Sequence, residues 1–488
     1  MAVDQAGSVI ITGESYSSSI AFGSTVLTNN GSSDMFMAKY DSNGNLSWAH
    51  SVGSVGQDRG LDATLDPRGN AVFGGDFQET INVGIFTFSA VNQASNGFVA
   101  KYNSGGEIIW ATGFGSEGSE TVSGVAADLS GNIYACGSFS SSELVFGGNT
   151  FDQSGQHDAF VLQILGNGAR GWCKAFGSVS SEWPAALACS PSDEIIVCGD
   201  FNSPALNIGG TLLSNSGNTD GFMVKYSNTG TQVWAAKCVA SSSLYAALDI
   251  SCDENGHLFV TGHAGESNTQ FGNGIMVAQE GFFLTRYDNS GQAQWAYGCG
   301  GDVPASAAWD RGLSVWSQNG ITVIGGYFMS DFLLFDDLEV LQTADVGNVQ
   351  SFFSVFVSAS LPVLLDESLD IDVCEREIIN FACWFGDSPL PTTAQWFLDG
   401  LPLEGQTDYC IFIGEANTGD SGTYLCTVTN ACGSVLMPMH PETGTRLPLS
   451  FLAKRLILQR LGQVHKGSFI STLTSGLANL IPLLSLFR

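Results

Sequence analysis

The chain has 488 residues, enough for two to four domains with a large buried core. Lys+Arg is 17 against Asp+Glu 47, a formal net charge of −30, and such a surface repels phosphate backbones, which argues against nucleic-acid binding. Only 13% of residues are charged while 60 are Gly and 32 are Phe, which predicts short strands and tight turns rather than helices.

The start, "MAVDQAGSVIITG", lacks the basic residues and apolar core of a secretory signal. From there a first motif runs "DQAGSVIITG" (4–13), "DPRGNAVFGG" (66–75), "DLSGNIYACG" (128–137), "SPSDEIIVCG" (190–199), "DENGHLFVTG" (253–262) and "SQNGITVIGG" (317–326). A second runs "DMFMAKYDSNGNLSW" (34–48), "NGFVAKYNSGGEIIW" (96–110), "DAFVLQILGNGARGW" (158–172), "DGFMVKYSNTGTQVW" (220–234) and "GFFLTRYDNSGQAQW" (281–295). Its tryptophans, Trp48, Trp110, Trp172, Trp234 and Trp295, are spaced 62, 62, 62 and 61 apart. A third beat ends in Gly23, Gly84, Gly147, Gly209 and Gly272. Motifs kept in register at one long period describe a repeat architecture.

Each period predicts four short strands, as in "TVSGVAAD", "IYACG", "GFVAKY" and "EIIWATG". Both faces of "GFVAKY" are apolar, as expected of a sheet packed on both sides. Lys39, Lys101, Lys225 and Arg286 share one position, and their stems are expected to pack while the charge snorkels out at a strand end. Four-stranded units at this period predict a β-propeller, with a β-solenoid as runner-up. Six blades are visible, the first and last incomplete: Met1 aligns with Ala63 and Val125, and no Trp strand follows "FFSVFVSAS" (352–360). The ragged start carries the expectation of a missing N-terminal piece.

"GFVAKY", then G-x-x-x-W, then D-x-x-G-N before a strand ending in Gly, resemble the bacterial seven-bladed β-propeller (SBBP-type) repeats over residues 1 to about 360. The resemblance implies an extracellular or cell-surface protein and no particular reaction.

From 361 to 438 the pattern changes. Cys383, Trp396 and "DSGTYLC" ending at Cys426 resemble an immunoglobulin-like β-sandwich. That resemblance implies a Cys383–Cys426 disulfide over Trp396, a tyrosine corner at Tyr424 and an oxidising compartment. Cys374, Cys410 and Cys432 leave room for one more pair. The propeller cysteines, 136, 173, 189, 198, 238, 252 and 299, read as buried small side chains, with inter-blade disulfides as the sharper alternative. Residues 439–488 hold one acid and six basic residues, a basic tail that is disordered or a short amphipathic helix, able to contact a membrane or partner. No apolar run reaches the ~18–20 residues of a membrane span.

Candidate chemistry is thin. "DENGH" is the best calcium candidate, with Asp253, Asn255 and upstream Asp249 as ligands, against a plain strand-joining turn. In every copy Gly-to-Trp is four residues, one too long for a sialidase Asp-box. The six histidines form no H-x-x-x-H pattern, and neither CxxC, G-x-S-x-G nor a P-loop occurs. Trp183, Trp309 and Trp316 fall outside the repeating Trp position. Trp309 and Trp183 are therefore candidates for stacking on a sugar or protein, against inter-blade packing. The expectation is a non-enzymatic, exported recognition or adhesion protein binding glycans or proteins, with no cofactor beyond possible Ca2+. The alternative is a propeller-based polysaccharide hydrolase or lyase.

Overall fold

Polar turns closed by glycine set the frame. Asp41 C=O accepts the Gly44 N–H at 3.0 Å, and Asp41 N–H donates to Asn45 C=O at 2.9 Å. Asp41 Oδ1 also accepts the Asn43 and Asn45 N–H groups at 2.9 and 2.8 Å. Gly44 sits at φ +77°, a conformation glycine adopts without a Cβ clash. This is a type I turn with a glycine bulge, a hairpin connection. Asp66, Asn103, Asp253 and Asp288 cap their own turns with the same two N–H bonds, and Asp128 caps its turn through the Asn132 N–H.

The computed structural model describes residues 1–440 apart from 5–6, 93, 242–245, 266–268, 278–279, 301–309, 319, 329–331, 336–337, 343–349, 359–368, 371–378, 383, 387–392, 407–409, 414–423 and 431–432. The chain is all-β. Repeated antiparallel sheets follow one another like the blades of a propeller, each in the order first-second-third-fourth strand. Sheet one is Ala2–Val3, Val9–Ser15, Asp34–Tyr40 and Leu46–Val52. Sheet two is Arg59–Leu65, Ala71–Phe77, Asn96–Tyr102 and Ile108–Phe114. Sheet three is Glu120–Ala127, Ile133–Phe139, Asp158–Ile164 and Arg170–Phe176. Sheet four is Glu182–Cys189, Ile195–Phe201, Thr219–Tyr226 and Gln232–Ser241. Sheet five is Asp249–Cys252, Leu258–Ala264, Gly281–Tyr287 and Ala293–Gly300. Sheet six has Arg311–Gln318, Ile321–Phe328 and Gln350–Ser358, and its fourth place is taken in parallel by Trp384–Gly386.

The third beat proves to be more than a weak motif. Between the second and third strands the chain leaves the sheet and makes a separate hairpin, such as Thr80–Val83 with Phe86–Ser89 or Glu143–Phe146 with Asn149–Asp152. Gly84 and Gly147 turn these hairpins at φ +61° each. The repeat is therefore four sheet strands plus a hairpin, not four strands alone.

The cores lie between consecutive sheets. Met35, Met37 and Trp48 of sheet one pack with Phe73, Phe77 and Phe98 of sheet two. Val99 and Trp110 of sheet two pack with Val122, Phe139 and Phe160 of sheet three. Every residue of the third strands Asp34–Tyr40, Asn96–Tyr102 and Asp158–Ile164 is buried, which confirms that both faces are covered.

The tryptophans join one sheet to the next. Trp48 Nε1 donates to Ser104 C=O at 3.1 Å, Trp110 to Gly166 at 3.2 Å, Trp172 to Asn228 at 2.9 Å and Trp234 to Asn289 at 3.1 Å. Each acceptor lies in the third-to-fourth turn of the following sheet, and the indole lies against that turn's glycine. A Cβ on Gly106, Gly168 or Gly230 would fall 2.7, 2.7 or 2.6 Å from the ring. Trp295 faces sheet six, whose fourth place is filled differently, and its buried Nε1 has no partner.

The lysines correct the snorkelling expectation. Lys39, Lys101 and Lys225 are 6%, 3% and 1% exposed. Lys101 Nζ pairs with Asp66 at 2.8 Å and reaches Gly131 C=O of the next sheet. Lys225 pairs with Glu194 at 2.5 Å and Lys39 donates to Gly69 C=O at 2.9 Å. Carboxylates and turn carbonyls stand in for water, so the charge stays inside.

Beyond sheet six lies a five-stranded sheet ordered Leu369–Asp370, Gly433–His440, Tyr424–Asn430, Thr393–Leu398 and Leu401–Pro402, with a separate pair of Ile379–Ala382 and Cys410–Ile413. Trp396 is fully buried and stands opposite Cys426 in register. Cys383, Cys374, Cys432 and the tail from 441 lie outside the described residues, so the disulfide reading rests on sequence. Met439 and His440 close the strand Gly433–His440 rather than opening the tail. Cys173, Cys189, Cys198, Cys238 and Cys252 are free thiols.

Two substitutions test the tryptophan joint. Gly168→Ala puts a methyl group at φ +87° against Trp110 and is expected to cost roughly 2–3 kcal/mol. Trp110→Phe removes one buried hydrogen bond and is expected to cost about 1 kcal/mol. Urea unfolding of the full chain measures both, and Gly168→Ala within a few tenths of the parent would refute the joint.

Candidate binding face

In an antiparallel first-to-fourth order, the tight turns gather at one end of each sheet. The excursion hairpins and sheet-to-sheet loops gather at the other. At this loop end the inner strands of sheets two, three, four and six open with a buried acid: Asp58, Glu120, Glu182 and Asp310. The next residue changes from sheet to sheet: Arg59, Thr121, Trp183 and Arg311. Its register partner on the second strand changes as well: Asp76, Ser138, Asp200 and Tyr327. One backbone position thus presents four different side-chain pairs.

The pairs form local networks. Arg59 grips Asp76 with Nε at 2.9 Å and Nη2 at 2.5 Å, and Thr121 Oγ1 of the following sheet donates to Asp76 at 3.0 Å. Beside it, Gln57 Nε2 donates to Glu14 at 3.3 Å and to the Tyr16 hydroxyl at 3.1 Å. Tyr16 is 47% exposed. Partial burial, with Glu14 adding to it, raises its phenol, so it stays a neutral donor. Trp183 is half-buried, its ring 6.2 Å from that of His157. On sheet five, burial and the Arg311 charge push His263 down to about 4, so it is neutral at physiological pH.

The sequence candidates fall as follows. Trp183 belongs to this face, and Trp316 is half-buried lower on the same inner position of sheet six. Trp309 precedes Asp310 as Gln57 precedes Asp58, but it lies outside the described residues. The calcium candidates are not brought together. Asp249 Oδ2 accepts Ser314 Oγ–H at 2.9 Å and Val315 N–H at 2.8 Å from sheet six, and its Oδ1 accepts Ile250 N–H. It clamps two inner strands, as Asp62 does with Val125 N–H. Asp253 spends one oxygen on its turn and the other on His257 Nδ1 at 2.9 Å, while His257 Nε2 faces Arg286 at 3.0 Å. Asn255 is exposed on that turn. Among the described residues no group of three His, Cys, Asp or Glu is placed to hold a metal. Burial pushes the Cys173 and Cys252 thiols up to about 12, so neither is a thiolate at neutral pH.

Sequence reasoning missed Arg59, Asp76, Glu14, Tyr16 and Gln57. The signal was present as disagreement between copies at an otherwise regular position.

No family model matches the chain. A WD repeat-containing protein of Acanthamoeba polyphaga mimivirus, itself uncharacterized, is 22% identical over 388 residues, covering 63% of this chain and 27% of that protein. The cell adhesion molecule DSCAML1 of Homo sapiens is 31% identical over 99 residues, covering 18% of this chain and 5% of that protein. The chain thus spans about a quarter of the first relative and a small part of the second. Among solved structures, the WD40 domain of Neurospora crassa Pan2 is 12% identical with a TM-score of 0.32, covering 64% of this chain and 74% of that one. Among the described residues no helix is long and apolar enough to cross a membrane.

Replacing Asp249 with Ala strands the Val315 and Ile250 N–H groups and is expected to cost on the order of 3 kcal/mol. A chelator is expected to leave the melting temperature of the parent unchanged. A drop on chelation would return Asp249, Asp253 and Asn255 to the role of calcium ligands.

Proposed function

We propose that the chain is an exported or cell-surface recognition protein, without catalytic activity, that binds glycans or proteins through the loop-end face. One observation carries this: a constant frame presents a different residue pair on sheets two, three, four and six, Arg59–Asp76, Thr121–Ser138, Trp183–Asp200 and Arg311–Tyr327. Recognition needs varied side chains on a rigid support. Trp183 supplies a stacking surface, Tyr16 and Gln57 supply hydrogen bonds, and Arg311 supplies positive charge on an otherwise acidic molecule. The SBBP-type repeat and the immunoglobulin-like module, with Cys383 and Cys426 bridged, complete this reading. The likeness to a cell adhesion molecule is in keeping with it.

A second reading has one observation in its favour. Glu14, Tyr16, Arg59 and Asp76 share one network at the loop end, and a carboxylate with tyrosine and arginine is the equipment of a polysaccharide lyase or hydrolase. Against it, Arg59 and Asp76 neutralise each other.

Glycan and protein arrays probed with the full chain separate the two. Trp183→Ala is expected to reduce binding at least about tenfold, in line with the loss of an aromatic anchor, with the melting temperature held. Binding that survives both Trp183→Ala and Tyr16→Phe would refute the face. Release of reducing or unsaturated ends from a polysaccharide, abolished by Glu14→Gln, would replace recognition with catalysis.

A further inference from the structure

At the loop end, where sheets one, two and three hand over to the next, a buried acid or amide neighbours a buried acid. Asp58 N–H donates to Ser33 C=O at 2.9 Å, Glu120 to Ser95 at 2.7 Å and Glu182 to His157 at 2.8 Å. These bonds bring the start of a third strand beside the start of the following inner strand. Asp34 thereby neighbours Asp58, Asn96 neighbours Glu120, and Asp158 neighbours Glu182. All are nine-tenths buried or more.

The two members of each pair are served unequally. Asp58 accepts Ser54 N–H at 2.6 Å, Ser54 Oγ–H at 2.9 Å and Gln78 N–H at 3.0 Å, using both oxygens. Glu182 accepts Ser178 N–H at 2.9 Å and Ser203 Oγ–H at 2.5 Å, and Glu120 accepts Ser116 N–H and Ser141 Oγ–H. Such donors favour the ionised form. Asp34 receives Asn30 N–H and Nδ2–H on Oδ2 alone, and Asp158 receives Ser154 N–H on Oδ2. Asp34 Oδ1, Asn96 Oδ1 and Asp158 Oδ1 are buried without a hydrogen-bond partner. The same atom is left bare at three successive junctions. A bare acceptor beside an ionised acceptor forms a bond once it carries a proton.

Equivalent positions show what the site requires. At sheet two it is an amide: Asn96 Oδ1 and Glu120 Oε2 lie 2.6 and 2.3 Å from the point a Gly115 Cβ would occupy. At sheet four the residue is Asp220, and Lys237 Nζ lies 3.0 Å from its Oδ2. Lys237 stands opposite Phe222, and the residues opposite Phe36, Phe98 and Phe160 are Ser51, Gly113 and Ala175, which carry no charge. The second junction thus carries an uncharged amide, and Asp220 at sheet four has an ammonium group beside it.

We propose that Asp34 and Asp158 each hold a proton on Oδ1 in the folded protein at neutral pH and donate it toward Asp58 and Glu182, so that a shared proton locks sheet one to sheet two and sheet three to sheet four. The transfer balances simply: on alkalisation the proton goes to solvent hydroxide and leaves two facing carboxylates. The other charged groups at the first junction are Glu14, which accepts Ser33 Oγ–H at 3.3 Å, and Arg59, engaged by Asp76. At the third it is His157, beside Asp158, whose Nδ1 faces Ser181 Oγ at 3.4 Å. Burial raises Asp34, Asp158 and Glu182 above the usual carboxylate range. Burial, with Asp34 adding to it, pushes Asp58 up to about 6, and burial pushes Glu120 to about 7. A carboxyl whose folded value is raised stabilises the fold at low pH and loses that contribution as pH rises through the folded value. The lock therefore releases as pH rises through the folded values of each pair, whatever the face binds.

The test is thermal and urea unfolding of the full chain from pH 5 to 8.5, with Asp34→Asn, Asp158→Asn and the double variant. The parent is expected to lose stability with rising pH, by up to about tenfold in the unfolding constant per pH unit for each proton released. The double variant, with an amide at the first and third junctions as at the second, is expected to flatten that slope and to melt above the parent at pH 8. Infrared spectra of the parent at pH 7 are expected to show a buried protonated-carboxyl band that is reduced in the double variant. The proposal is overturned by a parent without that band, by a double variant that keeps the parent's slope, or by calcium restoring the parent at pH 8, which would mean a cation in place of the proton. Where the double variant does not fold, the parent's band and the single variants decide.

Discussion

A sheet whose middle strands are apolar on both faces is unstable alone in water, so each sheet here depends on its neighbours. That constraint organises the rest. The signature tryptophan lays its indole on the next sheet's turn glycine and spends its only donor on that turn's backbone. The turn glycine is required twice over, by its positive φ and by the ring pressed against it. Lysines at the same end carry charge inward to carbonyls and carboxylates of the neighbouring turn.

The large negative charge takes a different meaning once the structure is known. Many carboxylates do not face solvent. They cap turns, as Asp41 and Asp66 do, or clamp inner strands, as Asp62 and Asp249 do, or close the loops between sheets, as Asp58, Glu120 and Glu182 do. Acids serve here mainly as acceptors for backbone N–H groups left over at strand ends. An acid count therefore says little about metal binding, and Asp249 in particular is occupied by the sheet beyond it.

The turn, the tryptophan beat and the buried third strand were legible because each is a local pattern repeated at one period. "DSNGN" reads as a turn from Gly44 and Asp41 alone, and "GFVAKY" reads as a doubly buried strand from its apolar faces. The excursion hairpin showed only as a glycine beat, because its strands are four residues long and vary in composition. The candidate face was half legible. Trp183 stood out by departing from the tryptophan register, whereas Arg59 and Asp76 lie 17 residues apart and only strand pairing makes them partners.

By itself the sequence determined the repeat, its turn chemistry and the spacing of the tryptophans, since periodicity and glycine's backbone freedom are properties of the chain. The tertiary structure alone decided that the lysine charges are buried, that Asp34 meets Asp58 and Asp158 meets Glu182, and that Trp384–Gly386 fills the last place of sheet six. Those outcomes depend on which groups from distant segments arrive at the same dry place, and no local pattern encodes the dielectric a side chain will meet there.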